Sequence, residues 1–326
     1  LREEYVLNYI LAIDLGATYL RLAIATCDGR IVFKVKEKVV RRGNEYTVAN
    51  QIIGIYEKIR EKLGKIGIGK IAIGSIGPLD MREGIILNPP NLPYGKILLK
   101  KPLEEYFKVE VIVLNDAVSA AWGEKHFGLG RNVENLAYIT LSTGIGVGAL
   151  VNGKLLLGKD GNAHEMGHAV VNYDSPFKCG CGKIGHWEAY ASGRNIPRFA
   201  KYLAQTKFKE LLNESMLRNK IVNNSLEAKD VFEAAKKKDS LALKIIDELG
   251  KVNASGFANV INAYDPELIT VGGAMALNNP KELIIDPILK YLDMYVVNRI
   301  PKIEITKLGD DIVLYGAVAA TINPPL

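Results

Sequence analysis

Between residues 164 and 188 the chain carries His164-Glu165-Met166-Gly167-His168, then Cys179-Gly180-Cys181, then His186-Trp187-Glu188. Three of its four histidines and two of its three cysteines lie there. Imidazole and thiol groups at that density imply a metal site, and two arrangements compete. The first is the H-E-x-x-H pattern, in which two histidines one helical turn apart bind zinc and the glutamate acts as base. That chemistry needs a helix. Gly161 and Asn162 before the run, Gly167 inside it and Ala169-Val170-Val171-Asn172-Tyr173 after it describe a loop running into a strand. On a loop, His164 and His168 need not face one another. The second arrangement takes His168, Cys179, Cys181 and His186. Cys-Gly-Cys offers two thiolates from one tight turn, and Gly180, Gly182 and Gly185 let the backbone fold around an ion. Four such ligands with no open position describe a structural, tetrahedral zinc. A Cys179–Cys181 disulfide is disfavoured by the demands of bridge geometry. The clustering argues against two free thiols among ordinary loop histidines.

Other stretches carry glycines and hydroxyls suited to phosphate. In Asp14-Leu15-Gly16-Ala17-Thr18, Gly16 lets backbone N–H groups approach a phosphate, Thr18 adds a hydroxyl donor, and Asp14 could hold Mg2+ through water. A plain hairpin turn with a capping Asp is the alternative. Its partner is Ser142-Thr143-Gly144-Ile145-Gly146-Val147-Gly148. Three glycines on alternate residues would weaken a plain strand, so close approach by a ligand is expected. Gly272-Gly273-Ala274, after a buried strand, either flanks a nucleotide base or makes a tight strand–helix turn. Gly64 to Lys70 has P-loop spacing, but Ile71 follows where Ser or Thr is required, and the run precedes a strand; it reads as a loop. Asn115-Asp116 stands where a buried strand ends and a helix begins, with one side chain expected to cap the helix and the other to face a cleft.

The elements that must position these residues fall into two sets. Tyr9 to Ile13, Leu20 to Thr26 and Ile31 to Val39 read as strands, with Asp28-Gly29 as a turn. Val48, Ile52, Ile55, Ile59 and Leu63 have helical spacing. Ile71 to Ile76 and Glu110 to Leu114 are strands, and Ala117 to Phe127 is a helix. A second set has strands at Leu136 to Leu141, Gly146 to Val151 and Lys154 to Leu157. Helices dominate from Arg194 to Asp265. Leu268 to Val271 is a strand, Leu283 to Val297 a helix whose start Pro287 could mark, and Gly316 to Ile322 closes the chain. Two halves, each opening with a hairpin whose turn could hold phosphate, imply an α/β, two-lobed actin-like (ribonuclease H-like) sugar kinase fold with ligands in an interdomain cleft. The expected lobes are 1–115 plus 307–326, the smaller, and 116–306, carrying the zinc loop.

Composition agrees with an ordinary enzyme: 326 residues, 48% apolar and 24% charged. No apolar run reaches membrane-spanning length. The apolar start, Leu1 to Ile13, ends at Asp14 without a cleavage site and is not read as a signal peptide. A net charge of +6 is spread in short clusters, at Arg41-Arg42, Lys100-Lys101 and Lys236-Lys237-Lys238. That suits phosphorylated substrates and does not argue for nucleic acid. With two cysteines on metal and Cys27 alone, a reducing cytoplasm is expected.

Asp14-x-Gly16-x-Thr18, Asn115-Asp116, Ser142-Thr143-Gly144-Ile145-Gly146, Glu165-Met166-Gly167-His168 and Cys179-x-Cys181-Gly182-x-x-Gly185-His186-x-Glu188 stand in the order seen in the ROK family of repressors, open reading frames and kinases. The chain resembles that family over essentially its full length. The resemblance implies ATP-dependent phosphorylation of a hexose 6-hydroxyl, most simply of glucose, with Asp116 as general base. Asn91, Asn115, Glu165, His168 and Glu188 would hydrogen-bond the sugar, and Gly77 would line its pocket. Asp14, Gly16, Ala17, Thr18, Thr143, Gly144, Gly272 and Gly273 would serve ATP and Mg2+. His168 would hold zinc through one ring nitrogen and sugar through the other, leaving His164 a bystander. The family's third cysteine is His186 here, and its lysine after the first phosphate motif is Tyr19. A homodimer or tetramer is implied, without nucleic acid or membrane partners. N-acetylglucosamine, N-acetylmannosamine, fructose and mannose are alternative acceptors, and polyphosphate an alternative donor. A sugar-responsive regulator is the rival from another class; with the first core strand near Tyr9, no DNA-binding domain is expected ahead of it. A zinc protease would make His164 essential.

Overall fold

A continuous buried run, a mostly buried strand and an alternating strand, joined by two turns, build a meander of β1 (Asn8–Leu15), β2 (Tyr19–Ala25) and β3 (Ile31–Lys38). The antiparallel register sets Asp14 opposite Arg21. The computed structural model describes residues 8–64, 66–89 and 91–325. Residues 1–7 of the apolar start, Lys65 of the Gly64–Lys70 run and Pro90 beside Asn91 lie outside the described residues. Next comes α1 (Thr47–Leu63), which buries Val48, Ile52, Ile55 and Ile59 on one face. β4 (Gly67–Ser75) then runs parallel to β1. β5 (Leu79–Asp80), β6 (Ile85–Leu87) and β7 (Lys96–Leu98) make a small antiparallel sheet. After α2 (Lys100–Phe107), β8 (Val111–Asn115) pairs parallel with β4 and leads into α3 (Asp116–Phe127). The first large sheet has the order β3-β2-β1-β4-β8.

A second five-stranded sheet uses β9 (Leu136–Leu141), β10 (Ile145–Val151) and β11 (Lys154–Leu155). The helices α4 (Glu188–Ala191), α5 (Ile196–Thr206), α6 (Lys209–Leu212), α7 (Arg218–Val222), α8 (Ala228–Lys236) and α9 (Ser240–Tyr264) follow. β12 (Leu268–Gly272), α10 (Ala274–Leu277), α11 (Lys281–Leu292), β13 (Lys302–Ile305) and α12 (Ile312–Ile322) end the chain. The order is β11-β10-β9-β12-β13. Among the described residues no helix is long and apolar enough to cross a membrane.

Packing separates two units. One takes the chain up to Glu134, Gly148–His164 and the chain from Asp311; the other takes Asn135–Val147 and Glu165–Asp310. Each has its own apolar core: Leu11, Ile13, Leu22, Ile52 and Ile73 in the first, Trp187, Phe257, Ile245 and Val271 in the second. The division differs from a boundary at residue 115, because α3 packs on α12. Glycines let the two helices touch: a Cβ on Gly316 would lie 1.7 Å from the Ser119 carbonyl oxygen.

Several elements depart from the sequence reading. Residues 169–173 form no strand; a single bridge pairs Val170 with His186, because the partner segment is itself a loop. Pro287 lies inside α11, which starts at Lys281 after Pro280 as N-cap. The helix is held there by Ile284, Ile285 and Ile288, and by Gly250, whose absent side chain makes room for Pro287. The Gly64–Lys70 run is only partly loop, since β4 begins at Gly67. The β5–β7 sheet and α2 had no periodicity long enough to announce them.

Candidate active site and metal centre

Gly167 sits in a single 3-10 turn, Met166–His168. A Cβ there would meet the Ile145 carbonyl oxygen at 2.0 Å, so the turn lies hard against the start of β10. His168 follows and points into a cluster with Cys179, Cys181 and His186, whose donor atoms all lie within 4.8 Å of one another. His168 Nδ1 is 3.1 Å from His186 Nδ1, 3.7 Å from Cys179 Sγ and 3.8 Å from Cys181 Sγ; Cys181 Sγ is 3.4 Å from His186 Nδ1. A tetrahedral zinc with bonds of about 2.0 Å to nitrogen and 2.3 Å to sulfur sets donor separations of roughly 3.3–3.8 Å. The residues therefore fit a metal ion.

Burial pushes the Cys179 thiol up to about 12, with the Glu188 carboxylate adding to the effect. Burial, and His168 beside it, push His186 below the ordinary imidazole value. Two ring nitrogens facing each other at hydrogen-bond distance and two convergent sulfurs are a donor set that a cation satisfies.

His164 is elsewhere engaged. It is 2% exposed, and its Nε2–H donates to the Gly161 carbonyl at 2.9 Å. The run is no helix, and His164 is not among the clustered ligands, so the protease geometry is absent from the described residues. His168 Nε2, the nitrogen turned away from the cluster, lies 3.7 Å from the exposed Glu165 carboxylate.

Glu188 opens α4 and joins two motifs. Its Oε2 accepts from Ile145 N–H at 3.0 Å, and the Cys179 thiol donates to its Oε1 at 3.3 Å. A Cβ on Gly144 would stand 2.7 Å from that Oε2, the end of a flexible side chain. Gly148 is glycine because a Cβ would strike the Ala117 carbonyl oxygen of α3 at 2.1 Å. Gly148 is thus explained by backbone packing, where the sequence reading expected a ligand. Thr143 is exposed at the tip of the turn. Gly272 and Gly273 likewise meet protein: a Cβ would lie 2.5 Å from Tyr138 Oη and 2.5 Å from the Leu141 carbonyl oxygen, respectively.

In the first unit Asn115 is the N-cap of α3, accepting from Ala117 N–H at 2.9 Å and Val118 N–H at 3.4 Å. Asp116, half-buried, is the first helical residue, with Oδ1 accepting from Ala117 N–H at 2.8 Å. A carboxylate at a helix N-terminus sits in a favourable field. Asp14 is buried at the end of β1 and ion-paired with Arg21 across the hairpin. Gly16, Ala17 and Thr18 form the turn, closed by Gly16 N–H to the Tyr19 carbonyl at 3.0 Å. Gly77 precedes Pro78 through a cis peptide bond. Asn91 is half-buried, and its carbonyl accepts from Arg41. Arg21 and Arg41 were missed by motif reading. Arg41 stood only as half of a short basic cluster, and the cross-strand position of Arg21 was the one signal available for it.

Residues 10–323 match the description "ROK family". A glucokinase of Pyrobaculum calidifontis is 38% identical over 315 residues, covering 97% of this chain and 95% of that protein. A glucokinase of Aeropyrum pernix is 37% identical over 320 residues, 97% of each. Among solved structures, a ROK family glucokinase from Streptomyces griseus in complex with glucose and AMPPNP superposes with a TM-score of 0.77 at 29% identity, over 95% of this chain and 98% of that one. The fold is that of these sugar kinases, the actin-like architecture expected from the sequence.

Proposed function

The chain belongs to the ROK family, and from that premise we propose that it transfers the γ-phosphoryl group of ATP to the 6-hydroxyl of glucose. Its relatives are ATP-dependent sugar kinases, and this is an enzyme of that class. Asp116 is assigned the general base that takes the hydroxyl proton as the oxygen attacks phosphorus. The observation that carries this assignment is the division of labour at the start of α3. Asn115 caps the helix through Oδ1, leaving its amide for sugar, and Asp116 carries the carboxylate at the strand end.

In the second unit Glu165, His168 and Glu188 are assigned to sugar hydroxyls; in the first, Asn91 and Asn115 share that role and Gly77 lines the pocket. Asp14, the 16–18 turn, Thr143, Gly144, Gly272 and Gly273 are assigned to the nucleotide. Mg2+ would neutralise charge on the phosphates, with Asp14 the carboxylate nearest the turn. His168, Cys179, Cys181 and His186 would hold zinc, which would supply a rigid staple for the residues assigned to sugar. We place the enzyme in the cytoplasm as a homodimer or tetramer, on the strength of two thiols assigned to metal rather than to a disulfide and of the family resemblance.

The test is ADP release from ATP with glucose, N-acetylglucosamine, N-acetylmannosamine, fructose and mannose, repeated with polyphosphate as donor. Glucose should give the highest kcat/KM. Absence of ADP release with every hexose would overturn the reading, and a better N-acetylhexosamine would move the substrate.

A further inference from the structure

Arg41 follows β3 in a segment whose main chain is held from three sides. Val39 N–H donates to the Thr18 carbonyl at 3.0 Å. The Gln51 carboxamide accepts from Val40 N–H at 3.0 Å and donates to the Lys38 carbonyl at 2.8 Å. The Tyr94 hydroxyl, on a buried ring, donates to the Val40 carbonyl at 2.6 Å. From this fixed base the guanidinium spans two further segments. Nη1 donates to the Ala17 carbonyl at 3.2 Å, and Nη2 to the Asn91 carbonyl at 2.8 Å. Ala17 belongs to the turn assigned to phosphate, Asn91 to the segment assigned to sugar.

We propose that Arg41 is a positioning residue that ties the phosphate turn to the sugar-binding segment and sets the direction of the turn's amides. In a planar trans peptide the carbonyl of one residue and the N–H of the next point opposite ways. Holding the Ala17 oxygen on the Arg41 side therefore turns Thr18 N–H to the other side, where the turn can offer it to an anion. At Asn91 the following peptide is held at both ends, by Arg41 at its oxygen and by Leu92 N–H donating to the Pro89 carbonyl at 3.2 Å. That fixes the backbone from which the Asn91 side chain springs. A planar fork holds two N–H groups in a fixed geometry for the two carbonyls, whereas a lysine ammonium is a rotating point charge. The guanidinium also brings positive charge to a turn whose other cation, Arg21, is committed to Asp14.

The inference rests on the sugar-kinase reading, and its experiment separates the two. Arg41→Ala, Arg41→Lys and, as a neighbouring control, Arg42→Ala are compared with wild type for kcat, KM of ATP, KM of hexose and Tm. Arg41→Ala should raise both KM values together and lower kcat/KM by about ten- to a hundredfold, the loss expected from misplaced substrate. Its Tm should stay within about 2 °C, because the side chain is exposed. Arg41→Lys should recover part of the loss, and Arg42→Ala should match wild type. An active wild type whose Arg41→Ala variant keeps kcat and both KM values overturns this inference alone. So does a variant whose Tm falls while both KM values stay. A wild type that phosphorylates no hexose overturns the functional reading, and this inference with it.

Discussion

Gly167→Ala tests whether the metal cluster depends on two loops meeting backbone to backbone. The new Cβ would lie 2.0 Å from the Ile145 carbonyl oxygen, 3.0 Å from its carbon and 3.4 Å from the Ile145 Cβ. Real Cβ contacts essentially never fall under 3.0 Å, so the segments must part by about 3.0 − 2.0 = 1 Å. Neither side yields easily. Ile145 N–H is held by Glu188, and the Met166–His168 turn is closed by His168 N–H to the Glu165 carbonyl at 3.0 Å. His168 is the next residue, so the displacement passes to its Nδ1. Metal donors separated by 3.1–3.8 Å tolerate a few tenths of an ångström, not a whole one. Overpacking alone costs about 1–3 kcal/mol. At roughly 2–4 °C per kcal/mol for a domain of this size, Tm should fall by about 2–12 °C. Thermal melts with and without a chelator, together with metal analysis, make the assay. The variant should hold less than one metal per chain, and chelation should shift its Tm far less than that of wild type. A variant with full metal content and wild-type Tm would refute the reasoning.

Three further outcomes follow from the site. Asp116→Ala should lower kcat by about 10²–10⁴ while the fold stays intact by circular dichroism; wild-type turnover would remove Asp116 from the mechanism. His164→Ala should lower Tm, since a buried ring and its bond to Gly161 are lost, yet keep one metal per chain; loss of metal would restore the H-E-x-x-H arrangement. Metal affinity should rise with pH. With the Cys179 thiol pushed up to about 12, binding near neutrality must expel its proton, giving about tenfold in affinity per pH unit for each proton released. Burial and the neighbouring His168 push His186 below the ordinary imidazole value, so its proton competes with metal only in acid. Competition with a chromogenic chelator from pH 6 to pH 9 measures the slope, and a flat profile would contradict the protonated thiol.

The cluster of His168, Cys179, Cys181 and His186 was legible because side-chain chemistry is written in residue type, and four such donors with glycines between them have few other uses. The Asn115 cap and the start of α3 were legible for a similar reason: a strand-like run followed by Asn-Asp and a helical pattern is a local signal. What stayed hidden is carried by main-chain atoms. Gly148 meets the carbonyl of Ala117, Gly167 that of Ile145, and Arg41 those of Ala17 and Asn91. A carbonyl oxygen is the same in every residue, so no spacing rule marks the one that will be approached. Alternate glycines in 144–148 were therefore read as room for a ligand when one of them, Gly148, makes room for backbone. Pro287 misled by the same logic, since its cost inside α11 is offset by burial of the helix face and by space at Gly250.

The second unit shows why the metal should matter to the nucleotide as well as to sugar. Three motifs that are separate in sequence pack as one body around residues 142–145. Gly193 N–H donates to the Ser142 carbonyl at 2.7 Å, and Arg194 N–H to the Thr143 carbonyl at 3.2 Å. Glu188 takes Ile145 N–H at one oxygen and faces Cys179 at the other, and Gly167 lies on the Ile145 carbonyl. A loop that loses its metal regains freedom at Cys179 and His168, and each is linked through one residue, Glu188 or Gly167, to Ile145 beside the turn assigned to phosphate. Chelation should then raise KM for ATP together with KM for hexose, each by several-fold, before the protein unfolds. If only the hexose value moves, the cluster braces the sugar residues alone, and the Glu188 bond to Ile145 carries no information between the two subsites.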